Sequence, residues 1–281
     1  MIPLPAVVLE DVVRRTLLED LGPGGDPSGA LVAGGAAAHA VIVAREAGVI
    51  AGLDAVALAF RMVDASVLVQ PRVAEGTTVA AGAMLVSLHG PAAGILAAER
   101  TALNLLARMS GVASATARLV ERLEGLKTKV LCTRKTMPGL RALDKYAVRL
   151  GGGVNHRLGL GDGVLIKDNH IALAGSVTEA IRRVKGHVGP MCPIEVEVED
   201  LAGLEEALSE GAAMVLLDNM TPQQCGEAVS LVAARVPLEA SGGIVLDNAR
   251  AYGEAGVDYL SAGWLTHSAR ALDCSLDISN P

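Results

Sequence analysis

Two hydrophobic rhythms divide the chain. From Lys129 onward, short apolar runs each end in a polar residue and give way to a helical or glycine-rich segment. That is the repeat of parallel strands covered by helices. The runs are Val130 to Thr133 ending at Arg134, Val164 to Ile166 ending at Lys167, Ile194 to Val198 carrying Glu195 and Glu197, Met214 to Leu217 ending at Asp218, Leu238 to Ala240 ending at Ser241, and Val257 to Leu260 ending at Ser261-Ala262-Gly263. In a βα barrel the C-terminal ends of the strands open onto one face, where such barrels keep their active sites. The pattern therefore predicts that Arg134, Lys167, Glu197 and Asp218 converge on one pocket.

The first hundred residues read differently. A helical opening, Leu9 to Leu18, precedes strand-like runs at Ala40 to Arg45 and Val67 to Val73. Glycines in the segment Val73 to Val79 and at Gly82, before Leu85-Val86, stand where short strands must turn, which suggests a small sandwich. A helix is predicted from Ala92 to about Leu123, with Leu103, Leu106, Met109, Val112 and Ala113 on one face.

Composition sharpens this picture. The chain is 51% hydrophobic but only 2% aromatic, so its core is built from Ala, Val, Leu and Ile, as in parallel sheets packed by helices. A net charge of -7 gives no broad attraction to nucleic acid or anionic lipid, so an anionic ligand needs a local basic cluster. Met1 to Glu10 lacks a signal-peptide pattern and Ala47 to Phe60 is too short and interrupted to span a bilayer, so the protein is expected in the cytoplasm. Cys132, Cys192, Cys225 and Cys274 have no zinc-ligand spacing and are read as reduced packing residues.

Glu195 and Glu197 share one side of a period-two strand, and a carboxylate buried there demands a partner. Lys135 and Lys167 are candidates, as is Mg²⁺ held by Glu197 and Asp218; a buried Glu-Lys pair without metal answers the same demand. Ser241-Gly242-Gly243 and Ser261-Ala262-Gly263 follow the last two runs, where barrels often cradle phosphate, although such glycines also serve plain tight turns. Arg134-Lys135, His156-Arg157 and Lys167 make a cationic group in an acidic chain, suited to a ligand with several anionic groups.

These residues lie in stretches that resemble the decarboxylating quinolinate phosphoribosyltransferases: Glu99-Arg100-Thr101-Ala102-Leu103-Asn104, Thr133-Arg134-Lys135-Thr136 with Pro138-Gly139, Gly151 to Arg157, Leu165 to His170, Glu195 to Val198, Leu217-Asp218-Asn219 and Ser241 to Gly243. The resemblance runs from Glu19-Asp20-Leu21-Gly22 to the end of the chain. It implies an α/β fold of the type II phosphoribosyltransferase kind. An N-terminal α/β sandwich (residues 1–102, joined by 267–281) would accompany an incomplete α/β barrel (103–266). It also implies a homodimer with shared sites, and leaves open whether such dimers assemble further into hexamers.

In the reaction it implies, quinolinate and phosphoribosyl pyrophosphate give nicotinate mononucleotide, carbon dioxide and pyrophosphate for NAD biosynthesis. Arg134, His156 and Arg157, with Arg100 of the neighbouring subunit, would grip the quinolinate carboxylates. Lys135, Lys167, Glu197 and Asp218 would surround phosphoribosyl pyrophosphate and Mg²⁺. Ser241, Gly242, Gly243, Ala262 and Gly263 would take the 5′-phosphate. Departures stand at Gly25-Asp26-Pro27-Ser28-Gly29, Met137 and Trp264. Three rivals remain: a Schiff-base lyase using Lys167, a related phosphoribosyltransferase-like protein of molybdate transport, and a silent phosphate-binding scaffold.

Overall fold

The computed structural model describes residues 2–279. Its contacts divide into two compact units, the first formed by residues up to Ala117, Thr136–Gly152 and the chain from Leu265 on, the second by Arg118–Lys135 and Gly153–Trp264. Residues 102 and 103, between which the sequence reading places its boundary, are consecutive residues of one 31-residue helix, so no linker separates them.

The elements run in order α1 (Ala6–Leu21), α2 (Pro27–Ala33), β1 (Ala37–Ala44), β2 (Gly48–Val49), α3 (Leu53–Val63), β3 (Leu68–Pro71), β4 (Thr78–Val79), β5 (Met84–Pro91) and α4 (Ala92–Arg122). Then follow β6 (Lys129–Leu131), α5 (Arg141–Leu150), β7 (Val164–Ile166), α6 (Asp168–Ala174), α7 (Val177–Lys185), β8 (Ile194–Val198), α8 (Leu201–Ser209), β9 (Met214–Asp218) and α9 (Pro222–Val232). The last are β10 (Leu238–Ser241), α10 (Ala249–Glu254), β11 (Tyr259–Ser261), α11 (Trp264–His267) and β12 (Cys274–Ser279).

In the first unit, β12-β1-β5-β3 form an antiparallel sheet in which β1 alternates exposed and buried residues, as a one-faced sheet requires. The Asp26-Pro27 departure starts a helix: Asp26 caps α2 by accepting from the Gly29 N–H at 3.0 Å, and Pro27 occupies a position that needs no N–H donor. Asp144, at the first turn of α5, is fully buried and accepts two hydrogen bonds from Arg108, at 2.8 and 3.0 Å. It also accepts from the Met137 N–H at 3.1 Å, which ties down the Thr136 to Gly139 turn.

The second unit holds the six-stranded parallel sheet β6-β11-β10-β9-β8-β7. Its two end strands are β6 and β7, which do not pair with each other, so the barrel is incomplete. A parallel bridge from Leu131 to Val154 extends the β6 side and delivers His156 and Arg157 next to it. All five residues of β8 are buried, the mark of a strand covered on both faces. No helix among the described residues is long and apolar enough to cross a membrane.

Candidate active site

The strand ends of the second unit carry the charged residues. Lys167 directly follows β7 and caps α6, and its main-chain N–H donates to His170 Nδ1 at 2.9 Å. Its Nζ meets Glu197 Oε2 at 2.7 Å, so the lysine supplies the partner that the buried Glu197 demands. Asp218 ends β9, where it accepts from Asn219 Nδ2 at 2.6 Å. Burial, and then the Glu197 charge, hold the Asp218 carboxyl above its ordinary value, with Lys167 and Lys135 opposing. Two acidic oxygen donors close enough for the Glu197 charge to raise the cost of ionising Asp218 suit a hard divalent cation such as Mg²⁺.

A second cluster stands nearer β6. Burial and the neighbouring Arg134 charge push the Arg157 guanidinium below its ordinary value, against the opposing charges of Glu195 and Asp162. Arg157 Nη1 donates to the Gly163 carbonyl at 2.9 Å. Two guanidiniums held this close favour an anion with more than one acidic group. His156 Nε2 lies 2.8 Å from Glu195 Oε2, and its Nδ1 accepts from the Arg157 N–H at 2.8 Å. Both ring nitrogens are thus engaged by the protein. Arg100 is exposed on α4 in the first unit, and the remaining residues of the predicted site belong to the second.

The glycine loop after β10 is shaped by its neighbours. Gly242 has φ +99°, and a Cβ there would stand 2.2 Å from Asn219 Oδ1. Asn219 in turn donates its N–H to the Ser241 carbonyl at 2.9 Å, and Asn248 Nδ2 donates to the Gly243 carbonyl at 3.0 Å. Trp264, beside Ala262 and Gly263, donates its indole N–H to the Ile244 carbonyl at 3.0 Å. The tryptophan departure therefore braces the loop. Gly242→Ala should displace Asn219 and cost about 1–3 kcal/mol in backbone strain, to be read from chemical denaturation. A stability within error of the parent would show that the loop yields freely.

Sequence reasoning passed over Glu239 and Asn248, and it named His170 and Asn219 only as members of matching stretches, without a role. Of the first two, only Glu239 left a signal, a charged residue inside an apolar run.

An unclosed parallel α/β barrel whose strand ends combine paired cations, acidic oxygens and a glycine turn defines a class of enzyme that handles multiply anionic substrates. The comparisons with known proteins narrow the class. Residues 28–110 match the quinolinate phosphoribosyl transferase N-terminal domain, and residues 112–277 match the C-terminal domain of the same family. A nicotinate-nucleotide pyrophosphorylase (carboxylating) of Mycobacterium leprae is 48% identical over 95% of this chain and 96% of that protein. A probable enzyme of the same name from Bacillus subtilis is 42% identical over 96% and 93%. The crystal structure of NadC from Streptococcus pyogenes superposes with a TM-score of 0.95 at 38% identity, covering 99% of both chains. The chain belongs to the quinolinate phosphoribosyl transferase family.

Proposed function

We propose that this chain transfers the phosphoribosyl group of phosphoribosyl pyrophosphate to quinolinate with decarboxylation, giving nicotinate mononucleotide, carbon dioxide and pyrophosphate. It would serve de novo NAD synthesis in the cytoplasm as a homodimer, with hexamers as a further assembly. The observation that carries the reading is the gathering of Lys167, Glu197 and Asp218 at the adjoining strands β7, β8 and β9 of a family member, with Lys135 close enough for its charge to act on Asp218.

In this reading the ring nitrogen attacks the anomeric carbon as the bond to pyrophosphate breaks, through a transition state of oxocarbenium character. Lys135 and Lys167 stabilise the charge gathering on the leaving group, and Glu197 orients Lys167. Glu197 and Asp218 would hold Mg²⁺, which when bound supplies further neutralisation of the pyrophosphate. Arg134 and Arg157, with Arg100 of the neighbouring subunit, hold the two carboxylates, while His156 shapes that wall. Ser241, Gly242, Gly243, Ala262 and Gly263 receive the 5′-phosphate. Once alkylated, the cationic ring accepts the electrons released as the adjacent carboxylate leaves, and the ring carbon then takes a proton. No protein nucleophile is required. The Schiff-base rival needs a free amine, whereas the Lys167 amine is engaged by Glu197 at 2.7 Å.

The direct test is to mix the protein with quinolinate, phosphoribosyl pyrophosphate and Mg²⁺ and to measure nicotinate mononucleotide and carbon dioxide. Arg157→Ala should raise KM for quinolinate by about 10- to 150-fold, the roughly 1.5–3 kcal/mol of a charge-assisted hydrogen bond. Nicotinate, with one carboxylate, should be a poor substrate. Absence of product with the parent protein, or equal use of the two acids, would overturn the reading.

A further inference from the structure

Glu239 lies inside β10 with 1% of its surface exposed, and Glu195 lies on β8 with 7%. β9 separates the two strands, yet the side chains come within hydrogen-bonding reach of each other. If both acids are ionised, Glu195 Oε1 and Glu239 Oε2 are buried oxygens without a donor. Two carboxylates are acceptors only, so neither satisfies the other; one proton turns one of them into a donor and satisfies both. Burial, and then the Glu195 charge, hold the Glu239 carboxyl well above the ordinary carboxylate range.

The remaining contacts continue in one direction. Ser261 on β11 hydrogen-bonds Glu239. The second oxygen of Glu195, Oε2, is 2.8 Å from His156 Nε2, and Glu239 Oε2 is 3.7 Å from the same nitrogen. His156 Nδ1 then accepts from the main-chain N–H of Arg157. We propose that Glu239 is a neutral acid that donates to Glu195, and that this pair acts through His156 to fix the Arg157 segment against the sheet. Glu239, Glu195 and His156 are then positioning residues for the arginine.

Ligating atoms of His156, Glu195 and Glu239 lie within 4.8 Å of one another, so a divalent ion is the competing occupant. The charged groups already present favour the proton. Lys167 acts on Glu239 and Arg157 on Glu195, so cations compensate the one remaining negative charge. Glu195 from β8, Lys167 from the end of β7 and His156 from the loop after Val154 are the titratable groups facing Glu239.

Only the activity arm of the test rests on the proposed function. Infrared spectra of the whole protein at neutral pH should show a buried protonated carboxyl that disappears in Glu239→Gln. An acid whose proton is retained in the fold loses stability as pH rises above the ordinary carboxylate value toward its own raised value. Glu239→Gln keeps a donor without a titrating proton, so its Tm should gain on the parent as pH rises through that window. In turnover, Glu239→Ala should raise KM for quinolinate about tenfold, or about 1.4 kcal/mol, with a smaller change in kcat. Glu239→Gln should recover most of that loss. No protonated-carboxyl band in the parent, no pH-dependent Tm difference, or tight binding of added Zn²⁺ that Glu239→Gln abolishes would each overturn the inference. The spectral and thermal arms decide it even if Glu239→Ala fails to fold or the protein makes no nicotinate mononucleotide.

Discussion

Mixing inactive Arg100→Ala subunits with inactive Lys167→Ala subunits, under verified subunit exchange, is expected to restore activity. Arg100 is exposed on α4 and belongs to the first unit, whereas Lys167 stands at the end of β7 in the second. An exposed helical arginine is ordinarily a solvated charge of little energetic consequence. In the proposed two-fold dimer it instead closes the partner's barrel and helps to exclude water from a charged transition state. One site of each heterodimer then carries both lesions and the other carries neither, so that species should reach about half the activity of a normal dimer. If both residues serve the same chain's site, every site has one lesion and the mixture stays inactive. That outcome would remove the shared site from the proposal.

The second large effect concerns stability. Asp144→Ala should cost about 3–5 kcal/mol, because it leaves the Arg108 guanidinium without its paired carboxylate in a mostly buried place. The two bonds at 2.8 and 3.0 Å are charge-assisted, and the same guanidinium also donates to the Thr266 carbonyl. The Met137 N–H loses its acceptor in the same substitution. Urea denaturation of parent and variant measures the difference. A loss under about 1 kcal/mol would mean that solvent replaces the carboxylate easily.

Much of this architecture was legible because parallel strands with two buried faces read as plain apolar runs. The bounds of β7 and β8 fall where the runs fall, β9 and β10 extend one residue into their polar ends, and α4 closes within one residue of its expected end. What stayed hidden lacked an apolar period. α6 has no buried residue, and it exists because Lys167 and His170 cap its start. β12 pairs with β1 from the far end of the sequence, a contact that no local pattern encodes and that only the family resemblance implied, in the return of residues 267–281 to the sandwich.

The site divides in the same way. Its charges stood in or at the ends of readable runs, so Arg134, Lys167, Glu197 and Asp218 were singled out as candidates from placement alone. Their partners were not. Glu239 looked like one polar residue in the apolar run Leu238 to Ala240, and its significance depends on Glu195 and His156 arriving from elements distant in sequence. Trp264 read only as a departure from the family pattern beside Gly263, and its part in the loop depends on the Ile244 carbonyl that its indole holds.

The pairing of β1 with β12 also sets an order of events during synthesis. Residues 39–44 must wait for residues 274–279, while the parallel sheet of the second unit has all its strands once Ser261 has left the ribosome. The part of the chain made first is therefore finished last. Until then the nascent β1 presents an open edge to every other polypeptide nearby, which makes the interval between translation of Ala44 and Ser279 the period of greatest exposure to aggregation and to chaperone capture.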